Sequence, residues 1–306
     1  MEYRIAAYTD TGIQKSSNED SLCVRRAALP GRGEVVLAVV CDGMGGLQRG
    51  ELASAEAVRA FGAWFDGSLS RLPALRDGAF GWVRQEWTEV LKGLHRRLLD
   101  YAAAAQVSLG TTLVAFLACG DRFLTVNIGD SRAYERWERL RQLTRDHSLV
   151  AREVASGRIT EEQARHHPQR NVLLQCLGAG ADVAPDFTEG LVHSGAVYLL
   201  CTDGLVHELS PEEIFRGLDP LLLRSKEDMT GALTALTETC KARGETDNLT
   251  SVLVAAAESP REPGRRGLGG LLHRLPLHRG TTSTSDEAVL LETAQVIHTQ
   301  ERLGTQ

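Results

Sequence analysis

Five short acidic segments constrain this chain more than any other feature of its sequence. Each places a carboxylate at the end of an apolar run or in a tight turn: Ser17-Asn18-Glu19-Asp20, Asp42-Gly43-Met44-Gly45-Gly46, Gly129-Asp130-Ser131-Arg132, Thr202-Asp203-Gly204 and Asp247-Asn248. Apolar runs fold inward, so these acids would be carried to the edge of a core, where carboxylates repel one another and bound cations are the usual remedy. One Asp-Gly pair is usually only a turn, but five such segments together predict a metal centre with oxygen ligands.

Several apolar runs are rich in β-branched residues and flanked by Gly or Asp, which favours strands over helices. They cover residues 35–41, 111–118, 122–128, 196–201 and 249–256. Apolar residues recur at helical spacing in 47–65 and 82–105. Capping boxes at Thr160 and Ser210 mark two further helix starts. The strands and helices come in blocks, which predicts an α+β fold with antiparallel sheets.

The bulk composition argues against several classes of protein. The chain has 306 residues, of which 42% are hydrophobic, enough for a substantial core. The net charge of −6 argues against a general nucleic-acid binder. No apolar run approaches the ~20 residues that span a bilayer, and the first residues, Met1-Glu2-Tyr3-Arg4, lack the basic and apolar regions of a signal peptide. A protein without a membrane span is therefore expected.

Six cysteines are present, and none forms a C-x-x-C pair. Cys41, Cys119 and Cys201 lie in apolar runs and are expected to be small buried hydrophobic residues. This pattern argues against a zinc site and against a disulfide framework. It agrees with a reducing, cytoplasmic setting.

The order of the acidic segments resembles the PPM family of metal-dependent protein serine/threonine phosphatases, also called type-2C phosphatases, in its bacterial form. The matching segments are Thr9-Asp10-Thr11-Gly12 with Lys15 and Asn18-Glu19-Asp20; Asp42 to Gly46 with Gly50, Ala53 and Ser54; Gly110-Thr111-Thr112; Asn127 to Arg132; Leu143 to Ser148; Cys201 to Leu205; and Asp247 to Thr250. The resemblance implies a central sandwich of two antiparallel β-sheets flanked by helices on both outer faces, a four-layer αββα fold. The metal centre would lie in a cleft at one edge of that sandwich.

The resemblance also implies a role for each acid. Asp42 would bridge two cations; Asp203 and Asp247 would hold the first with it; Glu19 and the backbone carbonyl of Gly43 would hold the second; Asp20 would act through waters; and Asp130, with Asp203, would form a weaker third site. Oxygen ligands select hard cations, so Mg²⁺ or Mn²⁺ is expected rather than Zn²⁺. A glycine after Asp42 suits close approach of the backbone.

The implied reaction is hydrolysis of phosphoserine and phosphothreonine in proteins, reversing a bacterial Ser/Thr kinase. Two cations would activate a water that attacks phosphorus directly. Lys15 departs from the family, which usually has Arg there to grip the phosphate, because Lys keeps the charge but loses the bidentate fork. A solvated surface lysine is the alternative. His147 is expected to have a local turn or cap role, with a proton shuttle as the alternative, and residues 148–178 correspond to a flap near the cleft.

The resemblance covers about residues 1–257, which are expected to form the catalytic domain. Residues 258–283 are rich in Pro, Gly and Arg and predict a linker. A capping box at Thr284 and a partly apolar face predict a short helix within 284–306, with a disordered tail as the alternative. Such a helix could dock a protein partner, for example the kinase whose products the enzyme reverses.

Two other functions are compatible with parts of the pattern. One is a binding module of the same fold without catalysis, which the loss of a metal acid would favour, but Glu19, Asp42, Asp203 and Asp247 are all present. The other is a metal-dependent hydrolase of small phosphoesters or nucleotides. Such an enzyme more often shows His-rich metal motifs or a phosphate-cradling glycine loop, and neither occurs here.

Overall fold

The computed structural model describes residues 1–29, 33–45, 49–72, 80–257 and 289–303. In chain order the elements are β1 (Glu2–Asp10), β2 (Ser21–Leu29), β3 (Gly33–Cys41), β4 (Gly43–Met44), α1 (Gly50–Ser68), α2 (Phe80–Ala105), β5 (Gly110–Thr111), β6 (Leu113–Cys119), β7 (Arg122–Ile128), β8 (Arg132–Arg136), β9 (Leu140–Gln142), α3 (Leu149–Ala155), α4 (Glu161–Arg165), β10 (Asp186–Leu191), β11 (Val197–Cys201), α5 (Asp203–Glu208), α6 (Pro211–Gly217), α7 (Lys226–Ala242), β12 (Leu249–Ala257) and β13 (Val289–Val296).

Two antiparallel sheets form the centre of the molecule. Sheet A has the strand order β1-β12-β11-β8-β9, and sheet B has the order β10-β7-β6-β3-β2-β13. The short strands β4 and β5 pair separately beside them. The central strands are buried on both faces, which explains why their sequences are nearly continuous apolar runs.

The two-residue period of β3 divides its side chains between two cores. Val36, Ala38 and Val40 enter the inner core between the sheets, whereas Leu37 and Val39 enter the outer core beneath α1 and α2. An outer core on the other side joins sheet A to α5, α6 and α7. Four layers therefore stack as helix, sheet, sheet and helix, which confirms the predicted αββα architecture.

Aromatic contacts hold the layers together. In the inner core, Phe116 of sheet B lies 4.7 Å, centroid to centroid, from Tyr198 of sheet A. In the outer core over sheet B, Phe61 of α1 lies 5.2 Å from Trp87 of α2. Rings of this size contribute much of the apolar area that each interface buries.

Most of the predicted elements are present with small shifts at their ends. The run 111–118 is divided, because Thr111 pairs with β4 while β6 begins at Leu113. The first long helix begins at Gly50 rather than at Leu47, and residues 46–48 lie outside the described ranges. Both predicted capping boxes, at Thr160 and Ser210, are formed.

The C-terminal segment corrects one prediction. The helix predicted from Thr284 is wrong for residues 289–296, which form β13 and pair antiparallel with β2. Without β13, strand β2 would present a row of unpaired backbone donors and acceptors at the sheet edge. Ala294 and Val296 pack against the inner core, so a strand period outweighs the local helical pattern. The linker predicted at 258–283 lies outside the described residues.

After β13 the chain crosses to the helical layer over sheet B. Ile297 and Leu303 pack against the outer core there. Arg59 of α1 donates to the backbone carbonyls of Thr299 and Glu301, at 3.0 and 2.9 Å. Residues 289–303 thus contact both sheet B and α1.

Within the described residues, no helix is both long enough and apolar enough to cross a bilayer. All six cysteines are buried, as predicted for Cys41, Cys119 and Cys201.

Candidate metal centre

The acidic residues lie at one edge of the sandwich because the strands that carry them end there. The register pairs Ser21 with Cys41 in sheet B and Cys201 with Ser251 in sheet A, so the ends of these strands lie side by side. The acids follow or precede those ends: Glu19 and Asp20 before β2, Asp42 after β3, Asp130 after β7, Asp203 after β11 and Asp247 before β12. Sheet A and sheet B each supply part of the cluster.

The carboxylates perturb one another strongly. Burial is the largest cause that raises the pKa of Asp42 well above its usual range, and repulsion from Asp20, Asp203, Asp247 and Asp130 adds to it. These five acids therefore share one electrostatic neighbourhood. Gathering several carboxylates in this way costs free energy unless protons or cations neutralise them.

The innermost acid is Asp20, which is only 1% exposed. Burial raises the pKa of Asp20 to about 8. The hydroxyl groups of Thr250 and Thr202 act in the opposite direction and lower it. Its Oδ2 accepts a hydrogen bond of 3.1 Å from Thr202 Oγ1, while its Oδ1 is buried without a hydrogen-bond partner among the described residues. Burial likewise raises the pKa of Asp130 to about 8, with a further contribution from Asp203.

Asp203 also has a buried oxygen, Oδ1, without a hydrogen-bond partner in the described part of the chain. Unpartnered buried carboxylate oxygens are rare and costly, and hard cations are their natural ligands. In the described ranges, however, no three His, Cys, Asp or Glu side chains already enclose a common point. The acids lie near one another, but in the described residues they are not arranged as a closed cation site.

Lys15 contacts this cluster rather than lying apart from it. Its Nζ is 3.0 Å from Asp247 Oδ1. Burial lowers the pKa of Lys15, but the hydrogen bond to Asp247 and the charges of Asp247, Glu19 and Asp42 outweigh it and raise the pKa above the usual value. The lysine is a cation at neutral pH at the mouth of the acidic cluster.

Backbone packing positions the acids that sheet B supplies. The amide of Gly43 donates to the carbonyl of Glu19 at 3.2 Å, and Ser54 Oγ donates to the same carbonyl at 2.5 Å. A Cβ atom on Gly43 would lie 2.2 Å from the carbonyl oxygen of Gly50, and one on Gly50 would lie 2.7 Å from the carbonyl carbon of Gly43. Glycine is required at both positions because two backbone segments touch there.

Polar side chains connect the loops that carry the acids. Thr112 Oγ1 accepts a 3.0 Å hydrogen bond from the amide of Asp42. Asn248 accepts from the amide of Glu19 at 2.9 Å and donates to the carbonyls of Thr11 and Ser17 at 2.9 and 3.2 Å. One asparagine thus ties the start of β12 to the loop between β1 and β2.

The acids that sheet A supplies are held by charged side chains. His207 lies between Asp203, at 3.4 Å from Nε2, and Glu245, at 3.2 Å from Nδ1. Burial raises the pKa of Glu245, but hydrogen bonds from His207 and from the amides of Asp247 and Thr246 outweigh it and lower that pKa to about 2. Glu245 is therefore a carboxylate at neutral pH although it is 4% exposed.

His147 anchors the predicted flap region to the edge of sheet B. Its Nδ1 accepts from the amide of Gly129 at 3.2 Å and from Gln175 Nε2 at 2.8 Å, while its Nε2 lies 3.1 Å from Asp186 Oδ2. Both ring nitrogens are thus engaged in holding loops together. This geometry favours the local structural role over a proton shuttle.

A family model described as protein phosphatase 2C matches residues 13–253, and this range contains every acid of the cluster. The chain belongs to the protein phosphatase 2C family. Its enzyme class is therefore that of the protein phosphatases, and the resemblance seen in the acidic segments is confirmed.

Curated relatives and solved structures agree with this assignment. The chain is 32% identical over 262 residues to the protein phosphatase PhpP of Streptococcus pneumoniae, covering 84% of this chain and 99% of the relative. It is similar to the Mycobacterium tuberculosis serine/threonine phosphatase PstP/Ppp, with a TM-score of 0.67, 30% identity and coverage of 84% and 99%. The catalytic domain of a serine/threonine protein phosphatase PstP, solved with two manganese ions, has a TM-score of 0.65, 28% identity and coverage of 84% and 99%.

Several residues around this type-2C site were not among the predicted site residues. Thr112 and Asn248 lie within the matching segments, so their position already marked them. His207 follows Asp203 by four residues, which places both side chains on one face of a helix. Glu245 carries no such signal, because its link to His207 depends on how α5 and the turn before β12 meet.

Proposed function

We propose that this chain hydrolyses phosphoserine and phosphothreonine in proteins with the help of two Mg²⁺ or Mn²⁺ ions. The observation that carries the proposal is the cluster of buried carboxylates from both sheets, which includes two oxygens, on Asp20 and Asp203, that have no hydrogen-bond partner among the described residues. The match to the protein phosphatase 2C family and the two manganese ions in a structural relative support it.

The residues that would hold the cations come from both sheets. Asp42 would serve both ions, and the repulsion that raises its pKa, from Asp20 of sheet B and from Asp203 and Asp247 of sheet A, supports this role. Asp203 and Asp247 would complete the first site, Glu19 and the carbonyl of Gly43 the second, and Asp130 with Asp203 a weaker third. When bound, the cations would neutralise the cluster and activate a water for direct attack on phosphorus.

Three residues would serve catalysis, and two of them, Lys15 and Asp20, would do so without binding an ion directly. The ammonium group of Lys15, at the mouth of the cluster, would attract the phosphate of the substrate. Asp20 would act through waters, since its Oδ1 has no partner in the described residues and its Oδ2 is fixed by Thr202. Asp42 would serve catalysis by holding both cations in one geometry.

The test is phosphate release from a phosphothreonine peptide with Mn²⁺, with Mg²⁺ and with EDTA. We expect release with either cation, none in EDTA, and a loss of at least about 10³-fold in Asp203→Asn. Asp100→Asn on the exposed side of α2 is the matched control and should keep wild-type activity. A folded wild-type protein that releases no phosphate with any cation would contradict the proposal and favour a docking module.

We also propose a cytoplasmic location and a cognate Ser/Thr kinase, or its substrates, as partners. The C-terminal segment could contribute to docking through β13, whose Val289, Leu290 and Leu291 side chains are large, apolar and exposed. Within the described residues, no strand pairs with the second edge of β13. A strand of the kinase could extend sheet B there.

A pull-down of the kinase by wild type and by Leu290→Lys would test this docking role. We expect weaker retention by the variant, with peptide turnover unchanged because Leu290 lies on the tail strand and contributes no acid to the cluster. Equal retention by both proteins would contradict it.

A further inference from the structure

Two residues connect the metal acids that sheet A supplies. Asp203 and His207 lie four residues apart on α5, so their side chains share one face of that short helix. His207 Nε2 is 3.4 Å from Asp203 Oδ2, and its Nδ1 is 3.2 Å from Glu245 Oε2. The imidazole therefore bridges two carboxylates on different segments of the chain.

The second carboxylate, that of Glu245, fixes the turn that carries the other metal acid. Its Oε1 accepts hydrogen bonds from the amide of Thr246 at 2.7 Å and from the amide of Asp247 at 2.9 Å. Its own amide donates to the carbonyl of Cys240 at the end of α7, at 3.1 Å. Glu245 thus holds the backbone of Asp247 and, through His207, the side chain of Asp203.

We propose that His207 and Glu245 act as a positioning couple that holds Asp203 and Asp247 in one arrangement for the first cation. The couple engages Oδ2 of Asp203 and leaves Oδ1, buried and unpartnered in the described residues, for the ion. Carboxylates that bind metals are commonly oriented by polar contacts with residues outside the ligand set, and the loss of such contacts costs roughly 10–100-fold in metal affinity. This inference rests on the proposed function, since it concerns the same cation site.

The chain contains a matched pair of residues elsewhere. His193 Nδ1 lies 3.3 Å from Oε1 of Glu135, which is 4% exposed, as Glu245 is. That pair lies toward the other end of β8 and β11, since Tyr198, at the start of β11, is opposite Glu135. This pair also joins a histidine to a buried glutamate, but it lies away from the acidic cluster.

The experiment measures Mn²⁺ binding by isothermal titration calorimetry on the full chain without substrate, in wild type, His207→Ala, Glu245→Gln and the double variant. We expect each single variant to bind Mn²⁺ roughly 10–100-fold more weakly. We expect the double variant to bind Mn²⁺ no more weakly than the weaker-binding single variant, because the two residues act together. His193→Ala should bind as wild type does.

A second readout separates positioning from catalysis. Peptide turnover should require more Mn²⁺ for half-maximal rate in both variants, while kcat at saturating Mn²⁺ stays within about threefold of wild type. Wild-type Mn²⁺ affinity in either folded variant, or losses that add in the double variant, would overturn the couple while leaving the phosphatase proposal intact. Absence of Mn²⁺ binding and of turnover in wild type would instead overturn the proposed function, and this inference with it.

Discussion

The two sheets supply the acidic cluster in different ways. Sheet B contributes Glu19, Asp42 and Gly43 on backbone segments in direct contact, as the 2.2 Å approach of a Gly43 Cβ to the Gly50 carbonyl shows. Sheet A contributes Asp203 and Asp247, whose positions depend on the side chains of His207 and Glu245. One half of the site is set by main-chain packing and the other by contacts of charged side chains.

This difference indicates how each half responds to substitution. A main-chain contact leaves no room for an added atom, so changes there should disturb the fold as well as the site. Charged side-chain contacts can be weakened gradually, so changes there should first lower the affinity for cations. Substitutions in the half on sheet B should therefore lower the stability of the protein, whereas substitutions in the half on sheet A should first lower its affinity for cations.

The largest effect is expected from Asp42→Asn, since Asp42 would serve both cations. Peptide turnover should fall by at least about 10³-fold. Melting in EDTA should occur at a higher temperature, by roughly 2 °C, because one buried charge leaves a cluster of like charges. A lower melting temperature in EDTA would show that the acids do not repel one another as the structure indicates.

Gly50→Ala should damage the half that sheet B supplies. Its Cβ would lie 2.7 Å from the Gly43 carbonyl carbon and 2.8 Å from Glu19 Oε1, so we expect about 1–3 kcal/mol of lost stability and a clear loss of turnover. Urea unfolding measures the first. In the same helix, Gly67→Ala would bring its Cβ within 4 Å of no described atom outside the adjacent helix backbone, so it should be neutral or slightly stabilising. Equal behaviour of the two variants would contradict the close-packing argument.

Lys15→Arg tests the positive charge of Lys15, which interacts with acids from both sheets. The guanidinium group should bind phosphate through two hydrogen bonds, so KM for a phosphopeptide should fall roughly threefold with little change in kcat. Lys15→Ala should raise KM instead. If neither variant changes KM, Lys15 serves only its ion pair with Asp247.

The smallest effect is expected from Glu301→Gln, which removes a contact between the residues that follow β13 and the start of α1. The Glu301 carboxylate lies 2.5 Å from Arg49 Nη1, but both side chains are partly exposed, so about 0.5 kcal/mol or less should be lost. Turnover should stay within twofold. A large loss of turnover would show that the tail supports the half of the site on sheet B.

The sequence allowed prediction of the features that depend on local pattern. The runs that became β3, β7, β11 and β12, and the capping boxes at Thr160 and Ser210, follow from residue type and spacing. The apolar runs predicted that the acids would lie at the edge of a core, and the resemblance predicted that this edge belongs to a sandwich of two sheets. Their roles as ligands stay predictions until a cation is measured.

Long-range contacts account for the structural features that the local sequence pattern could not predict. The link between His207 and Glu245 spans 38 residues and depends on the meeting of α5 with the turn before β12. The residues of β13 satisfy a weak helical pattern, but the open edge of β2 decides their structure. Neither of these two contacts can be recognised from the residues that neighbour it in the sequence.

The pairing of β13 with β2 has a consequence for synthesis of the chain on the ribosome. Strand β2 ends at Leu29 and its outer partner begins at Val289, so 259 residues lie between the two strands. At about 5–20 residues per second, the nascent chain carries an incomplete sheet for on the order of tens of seconds. During that interval the edge of β2 is available to other strands, and a message truncated before codon 289 would leave it so permanently.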